Sequence, residues 1–187
     1  MFLILLIVCF NVQLKAQSSE EKHLVELARK ETNSSKKLLR LIALGEYYQQ
    51  HNIHLADSLK EVISNQSKGK SDFHKFKAIL YVAEVSKIQG NQQAYLDNVI
   101  ALKPYLEKNL TNNQKFKIHY HLGSYYSYLI DFGLAQENLD VALQLAKKAR
   151  NNTSISRTYS AIAKNYMNSN LKDSAFYFTN ISIQYAR

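Results

Sequence analysis

The chain has 187 residues, 46% hydrophobic and 21% charged, enough for about one globular domain with a filled core. Five glycines and one proline are too few for a turn-rich β protein and favour long helices. The net charge of +9, from 24 Lys+Arg against 15 Asp+Glu, is scattered without a basic block; it fits solvated helix faces, with an anionic partner as the other reading.

Residues 2–10, FLILLIVCF, form an unbroken apolar run. It is too short for a bilayer, which takes about 20 residues, and has the length of an export-signal core. Ala16 is the small residue expected before cleavage, so residues 1–16 are read as a signal peptide. The mature chain then starts near Gln17, is exported to the periplasm or another extracytoplasmic space, and carries no membrane span. The competing reading is a buried N-terminal helix. Cys9, the only cysteine, leaves with the leader, so the mature chain has no thiol for a disulfide, a metal or a nucleophile.

Residues 17–34 hold one expected helix at about 18–31, capped by Ser18 or Ser19, with Leu24, Leu27 and Ala28 facing inward. From residue 35 onward a pattern recurs. It reads Leu44-Gly45, Tyr48, Ala56; Val82-Ala83, Ser86, Ala94; Leu122-Gly123, Tyr126, Ala135, Ala142; and Ile162-Ala163, Tyr166, Ala175, Ser182. The pairs begin at 44, 82, 122 and 162, so the steps are 38, 40 and 40 residues. A fixed period of this size indicates stacked supersecondary units, here about 35–70, 71–110, 111–150 and 151–187.

Each unit is expected to hold two helices. The first helices run over about 35–50, 71–89, 112–130 and 152–169, and the second over about 54–67, 91–109, 132–149 and 171–186. Small residues at 45, 83, 123 and 163 let the first helix approach the second, whose alanines receive it; the aromatics at 48, 126 and 166 fill the space beside them. Gly90 and Gly133 are assigned to the turns inside pairs, and Gly69 to a connection between pairs. The turns of the first two units read as one residue shorter than the others. Thr111-Asn112 and Asn152-Thr153 supply caps. Pro104 predicts a break in its helix, and the polar stretches 65–72 and 151–157 read as connections.

This spacing resembles the tetratricopeptide repeat, over roughly residues 35–187, with a period longer than that family's usual length of about 34. The third unit is the nearest match, through Leu122, Gly123, Tyr126, Ala135 and Ala142. The resemblance implies an all-α, right-handed α-solenoid of about four helical hairpins, preceded by the extra N-terminal helix. It also implies protein or peptide binding without catalysis or a cofactor. Exported arrays of this kind are similar to the N-terminal sensory region of bacterial sensor and regulator proteins.

The sequence has no HExxH, GxSxG, Walker-type or GxGxxG run. His119 and His121 lie about 200° apart around a helix and cannot share a metal, while His51 and His54 lack a companion ligand. Structural or surface roles are expected for them. Tyr125, Tyr126 and Tyr128 read as packing residues rather than as a stacking platform.

In such an array the first helices line the binding side. Groove-facing positions include Ile42, Leu80, Lys77, Lys87, Lys117, Tyr120, Tyr128, Arg157 and Lys164. Lys77, Lys117 and Arg157 recur one unit apart and predict a positive rim with a preference for acidic segments; solvated cations are the competing reading. The carboxylate clamp of chaperone-binding tetratricopeptide proteins is not expected, because its positions carry Ile42, Glu46, Leu80 and Glu84. The other functional class is a basic helical-repeat nucleic-acid binder, which export argues against. Phe176 and Ile183 fall on the opposite side of the last helix from Phe178, Ile181 and Tyr185, predicting further repeats or another subunit against it.

Overall fold

The computed structural model describes residues 18–186. The expected leader, with Cys9 and Gln17, lies outside the described residues. Among those described there is no strand, and no helix is long and apolar enough to cross a membrane. The helices are α1 (Ser19–Lys30), α2 (Ser34–His51), α3 (Ile53–Ser67), α4 (Asp72–Ile88), α5 (Gln92–Leu102), α6 (Asn112–Tyr128), α7 (Phe132–Lys148), α8 (Asn152–Asn168) and α9 (Lys172–Ala186). A 3₁₀ turn, Lys103–Glu107, follows α5. Pro104 sits at its start, so the α-helical ladder stops at Leu102, two residues before the ring that cannot donate to it.

Most helix starts are capped by a side chain that satisfies an otherwise orphan backbone donor. Ser18 accepts from Glu21 N, Asn33 from Ser35 N and Lys36 N, and Asn52 from Leu55 N. Thr111 and Gln114 form a reciprocal capping box at α6. At α8 the cap is Asn151, which accepts from Ser154 N, and not the expected Asn152-Thr153. Consequently most of the polar stretch 151–157 is helix rather than connection, as is residue 65–67 of the other stretch.

The turns inside the helix pairs correct two expectations. Only the first is short, with Asn52 alone between α2 and α3; the second has three residues, like the third and fourth. Residues Gly90 (φ 71°), Ile130 (φ 64°) and Asn170 (φ 62°) take the left-handed conformation 40 residues apart. In each turn the following residue donates back to the helix, Asn91 N to Ser86 O, Asp131 N to Tyr126 O and Leu171 N to Tyr166 O. These 6→1 bonds close each first helix in the same way. Gly133 is therefore no turn residue: it lies in the first turn of α7, after the Asp131 cap.

The helices form two compact units, residues 18–81 and 82–186 among those described, with the division inside α4. In the first, α2 packs against α1 and α3. Its core holds Leu38, Ile42, Leu44, Tyr48, Ala56, Leu59, Ile63, Phe76, Leu80 and Tyr81. Ile42 and Leu80 are thus core residues and present nothing to a ligand. Gly45 accommodates the Tyr81 phenol from α4, rather than a residue of the paired helix α3. The Tyr81 hydroxyl donates to the Ala56 carbonyl at 2.6 Å. Tyr48 is buried, and its hydroxyl donates to Glu21 Oε1 at 3.0 Å.

In the second unit α6 packs with α7, α7 with α8, and α8 with α9. Here Gly123 does the expected work: a Cβ on it would stand 2.6 Å from Leu139 Cγ and 3.2 Å from the Ala135 carbonyl oxygen. Leu122, Ala135, Ala142, Ile162, Ala163 and Ala175 are buried. Tyr166 stacks on Phe178 (5.2 Å between centroids), and Tyr126 accepts from Lys103 Nζ at 3.3 Å. On α9, Phe178, Ile181 and Tyr185 pack against the core while Phe176 and Ile183 are exposed.

Hydrogen-bond register corrects one signature position. The backbone N–H groups of Ala56, Tyr95, Ala135 and Ala175 bond to the cap carbonyls of Asn52, Asn91, Asp131 and Leu171. Tyr95, not Ala94, is the counterpart of the three buried alanines, and Ala94 is only half-buried.

Candidate functional site

The second unit gathers most of the residues expected to meet a ligand. The last turns of α4 supply Glu84 and Lys87, with Val85 and Ser86 buried between them. The helix α5 supplies Tyr95, α6 supplies Lys117, Tyr120 and His121, and α8 supplies Arg157 and Lys164. Lys117 and Arg157 stand one 40-residue period apart, as do Ser124 and Lys164.

Glu84 is the anion of this cluster. Its Oε1 lies 3.5 Å from Lys117 Nζ and 3.8 Å from His121 Nε2. Burial pushes its carboxyl up, but the His121 imidazole and the charges of Lys117 and Arg157 more than reverse this, to about 2. The 3.8 Å separation is too long for a hydrogen bond, so the imidazole acts on Glu84 through space. His121 itself is pushed below its ordinary value, first by burial, against the pull of Glu84. A neutral ring with its proton on Nε2 suits the surroundings, because Nδ1 then accepts from the Tyr95 hydroxyl at 3.2 Å.

Lys87 is held differently. Its Nζ lies 5.0 Å from the Tyr120 ring centroid and 5.5 Å from that of Tyr95, within cation–π range of both. Its pKa falls to about 8, first through desolvation of the ammonium and then through the like charges of Lys164 and Arg157, which outweigh Glu84. The residue as a whole is exposed, so solvent reaches it. Among the described residues no carboxylate comes within 4.0 Å of the charged atoms of Lys87, Arg157 or Lys164. Four cations and one carboxylate leave a charge of +3 (4 − 1) when Lys87 is protonated.

Lys77 belongs to the other compact unit. Tyr128 is 54% exposed at the end of α6, about 12 Å along the axis beyond Tyr120, and makes none of these contacts. The histidines separate as their helical angle implies, with His119 Nδ1 3.0 Å from Asn138 Oδ1 and His121 in the cluster. Among the described residues no group of three or more His, Cys, Asp and Glu side chains is placed to hold a metal.

The sequence pattern did not single out Tyr95 or the link from Tyr95 through His121 to Glu84. From the sequence Glu84 only argues against a carboxylate clamp, whereas its ion pair with Lys117 makes it the internal counterion of a cluster that stays positive. A second basic region, Lys37, Lys68 and Lys70 around a shallow depression of about 380 Å³ in the first unit, consists of surface side chains. No protein-family model matches the sequence, and no curated protein matches it significantly.

Proposed function

We propose that this chain is an exported, non-catalytic scaffold that binds protein or peptide partners through an acidic segment. The observation that carries this reading is Lys87 over the Tyr120 ring with Arg157 and Lys164 near enough to act on both, and Lys117 paired with the one internal carboxylate. A cationic surface beside an aromatic ring attracts an extended acidic chain, and the half-buried Tyr120 ring offers apolar area beside the charges. Four helical pairs with a 38–40-residue period support a right-handed, tetratricopeptide-like solenoid, in which the first helices line the binding side. In that arrangement the exposed Phe176 and Ile183 of α9 receive further repeats or another subunit. The protein then acts as the sensory, ligand-capturing region of an extracytoplasmic signalling system.

The mature chain, immobilised and exposed to envelope extract, is expected to retain partners that elute with moderate salt and contain acidic segments. The competing class is a nucleic-acid binder, favoured by the net charge of +9. A titration with random RNA separates the two. Tight binding that weakens by orders of magnitude between 50 and 200 mM salt, with no retained protein, would overturn the peptide-binding reading.

A further inference from the structure

Within the cluster the four cations are not equivalent. Lys117 already has Glu84 at 3.5 Å, and that carboxylate is the only one paired there among the described residues. Lys87, Arg157 and Lys164 share no such partner. Their mutual repulsion outweighs the attraction of Glu84 for Lys87, whose ammonium lies 5.0 Å from the Tyr120 centroid and 5.5 Å from that of Tyr95. Charges gathered at a cost to one another, with a solvent-accessible flank, are relieved by an anion that enters from outside.

We propose that Lys87, Arg157 and Lys164, backed by the Tyr95 and Tyr120 rings, form a subsite for a doubly negative group in the middle of the partner's acidic segment. Two neighbouring carboxylates or one phosphomonoester supply that chemistry. This rests on the peptide-binding reading and narrows it. With Glu84 counted, the four-cation cluster still keeps a surplus that a single added carboxylate does not neutralise. Glu84 occupies the Lys117 side and repels the ligand from it, so the dianion is placed toward α8. Glu84 thereby tunes the affinity, since it is the resident negative charge with which every ligand competes.

The subsite has a pH signature that ordinary surface lysines lack. The groups around Lys87 are Glu84 on its own helix, Tyr95 on α5, Lys117, Tyr120 and His121 on α6, and Arg157 and Lys164 on α8. Glu84 stays ionised above pH 5, and burial raises the phenols of Tyr95 and Tyr120. Lys87 is thus the group that changes charge near pH 8. A bound dianion favours its ammonium, so binding takes up a proton above that pH, and affinity falls as pH rises.

Two measurements test this. In the first, NMR of ¹³C-methylated lysines follows Lys87 in the whole mature chain, with and without inorganic pyrophosphate as the probe. The Lys87 titration is expected to move upward by about one unit. In the second, fluorescence anisotropy follows a labelled peptide carrying an internal Asp-Asp pair, the same peptide with one phosphoserine, and a neutral Asn-Asn control. The acidic peptides are expected to lose roughly tenfold in affinity between pH 7.5 and 9.5. Lys87→Met should flatten that profile and weaken binding at pH 7, and Glu84→Gln should tighten it severalfold. Arg157→Gln and Lys164→Gln, at exposed positions that leave the fold alone, should each weaken it.

An unmoved Lys87 titration with pyrophosphate overturns the subsite whatever the peptides do. Acidic peptides that bind with a flat pH profile, equally well to Lys87→Met, also overturn it but leave the peptide-binding reading standing. A Lys87 shift with pyrophosphate and no peptide binding keeps the anion subsite and removes the peptide reading.

Discussion

Replacing Gly45 by alanine probes the tightest packing contact in the first unit. A Cβ on Gly45 stands 2.5 Å from Cε2, Cζ and Oη of Tyr81. Carbon atoms in a core prefer about 3.5–4.0 Å, so something must move. Tyr81 is badly placed to do so: it is 1% exposed, and its hydroxyl is fixed by the 2.6 Å bond to the Ala56 carbonyl. Helix propensity alone favours alanine over glycine by about 1 kcal/mol. Against that gain stand overpacking, about 1–3 kcal/mol, and the buried Tyr81 hydroxyl left without its acceptor, about 1–3 kcal/mol. The expected net loss is about 2–4 kcal/mol. Urea unfolding followed by circular dichroism should show a midpoint lowered by roughly 1–2 M at an unchanged slope. The decisive comparison repeats the substitution in a Tyr81→Leu background, where most of its cost should disappear. A neutral Gly45→Ala, or one equally costly without the Tyr81 ring, refutes the reasoning.

Four further outcomes follow from the same coordinates. Gly133→Ala, whose Cβ meets nothing closer than Asp131 Oδ1 at 3.8 Å, should raise stability by about 0.5–1 kcal/mol in the same urea assay. Ile130→Gly should also stabilise, by about 1 kcal/mol, because a β-branched residue at φ 64° is strained and the side chain is 74% exposed. Thr111→Ala removes the capping box of α6 and should cost about 0.5–2 kcal/mol, measured as a lowered melting temperature. Glu84, held at about 2 against an ordinary carboxyl value of 4.5, contributes stability that is fully present above pH 4.5 and lost as pH falls through 2. Acid unfolding of the wild type should therefore show a loss on the order of 2 kcal/mol across that window which Glu84→Gln lacks.

Helix existence and most helix ends were legible in the sequence, because caps and breakers act locally. Thr111 and Pro104 each fix a boundary through one hydrogen bond made or forbidden. The left-handed turn residues were legible only at Gly90. Ile130 and Asn170 take the same conformation because their neighbours, Asp131 and Leu171, bond back to Tyr126 and Tyr166 across the turn. A repeated backbone geometry overrides what the side chain prefers, and residue type alone does not reveal it. Gly45 shows the same limit in packing. The need for a small residue was readable, but its occupant, Tyr81, comes from a helix 36 residues away.

The candidate site was partly legible for a related reason. Lys117 and Arg157 follow the repeat period, so counting found them. Tyr95 breaks the pattern, and matching alanine to alanine placed the signature one residue early, at Ala94. Where the other pairs bury a methyl group at this position, the second buries a phenol. That phenol does what alanine cannot: its hydroxyl reaches His121 and its ring flanks Lys87. His121 in turn sits 3.8 Å from Glu84, the one carboxylate among the four cations. A tyrosine in an otherwise small-residue position costs the hairpin its regular close contact. Such departures from local consistency are expected where function rather than stability sets the residue. The place where the repeat pattern fails is thus the place where aromatic, acidic and basic groups converge, which is the strongest internal reason to look for the ligand there.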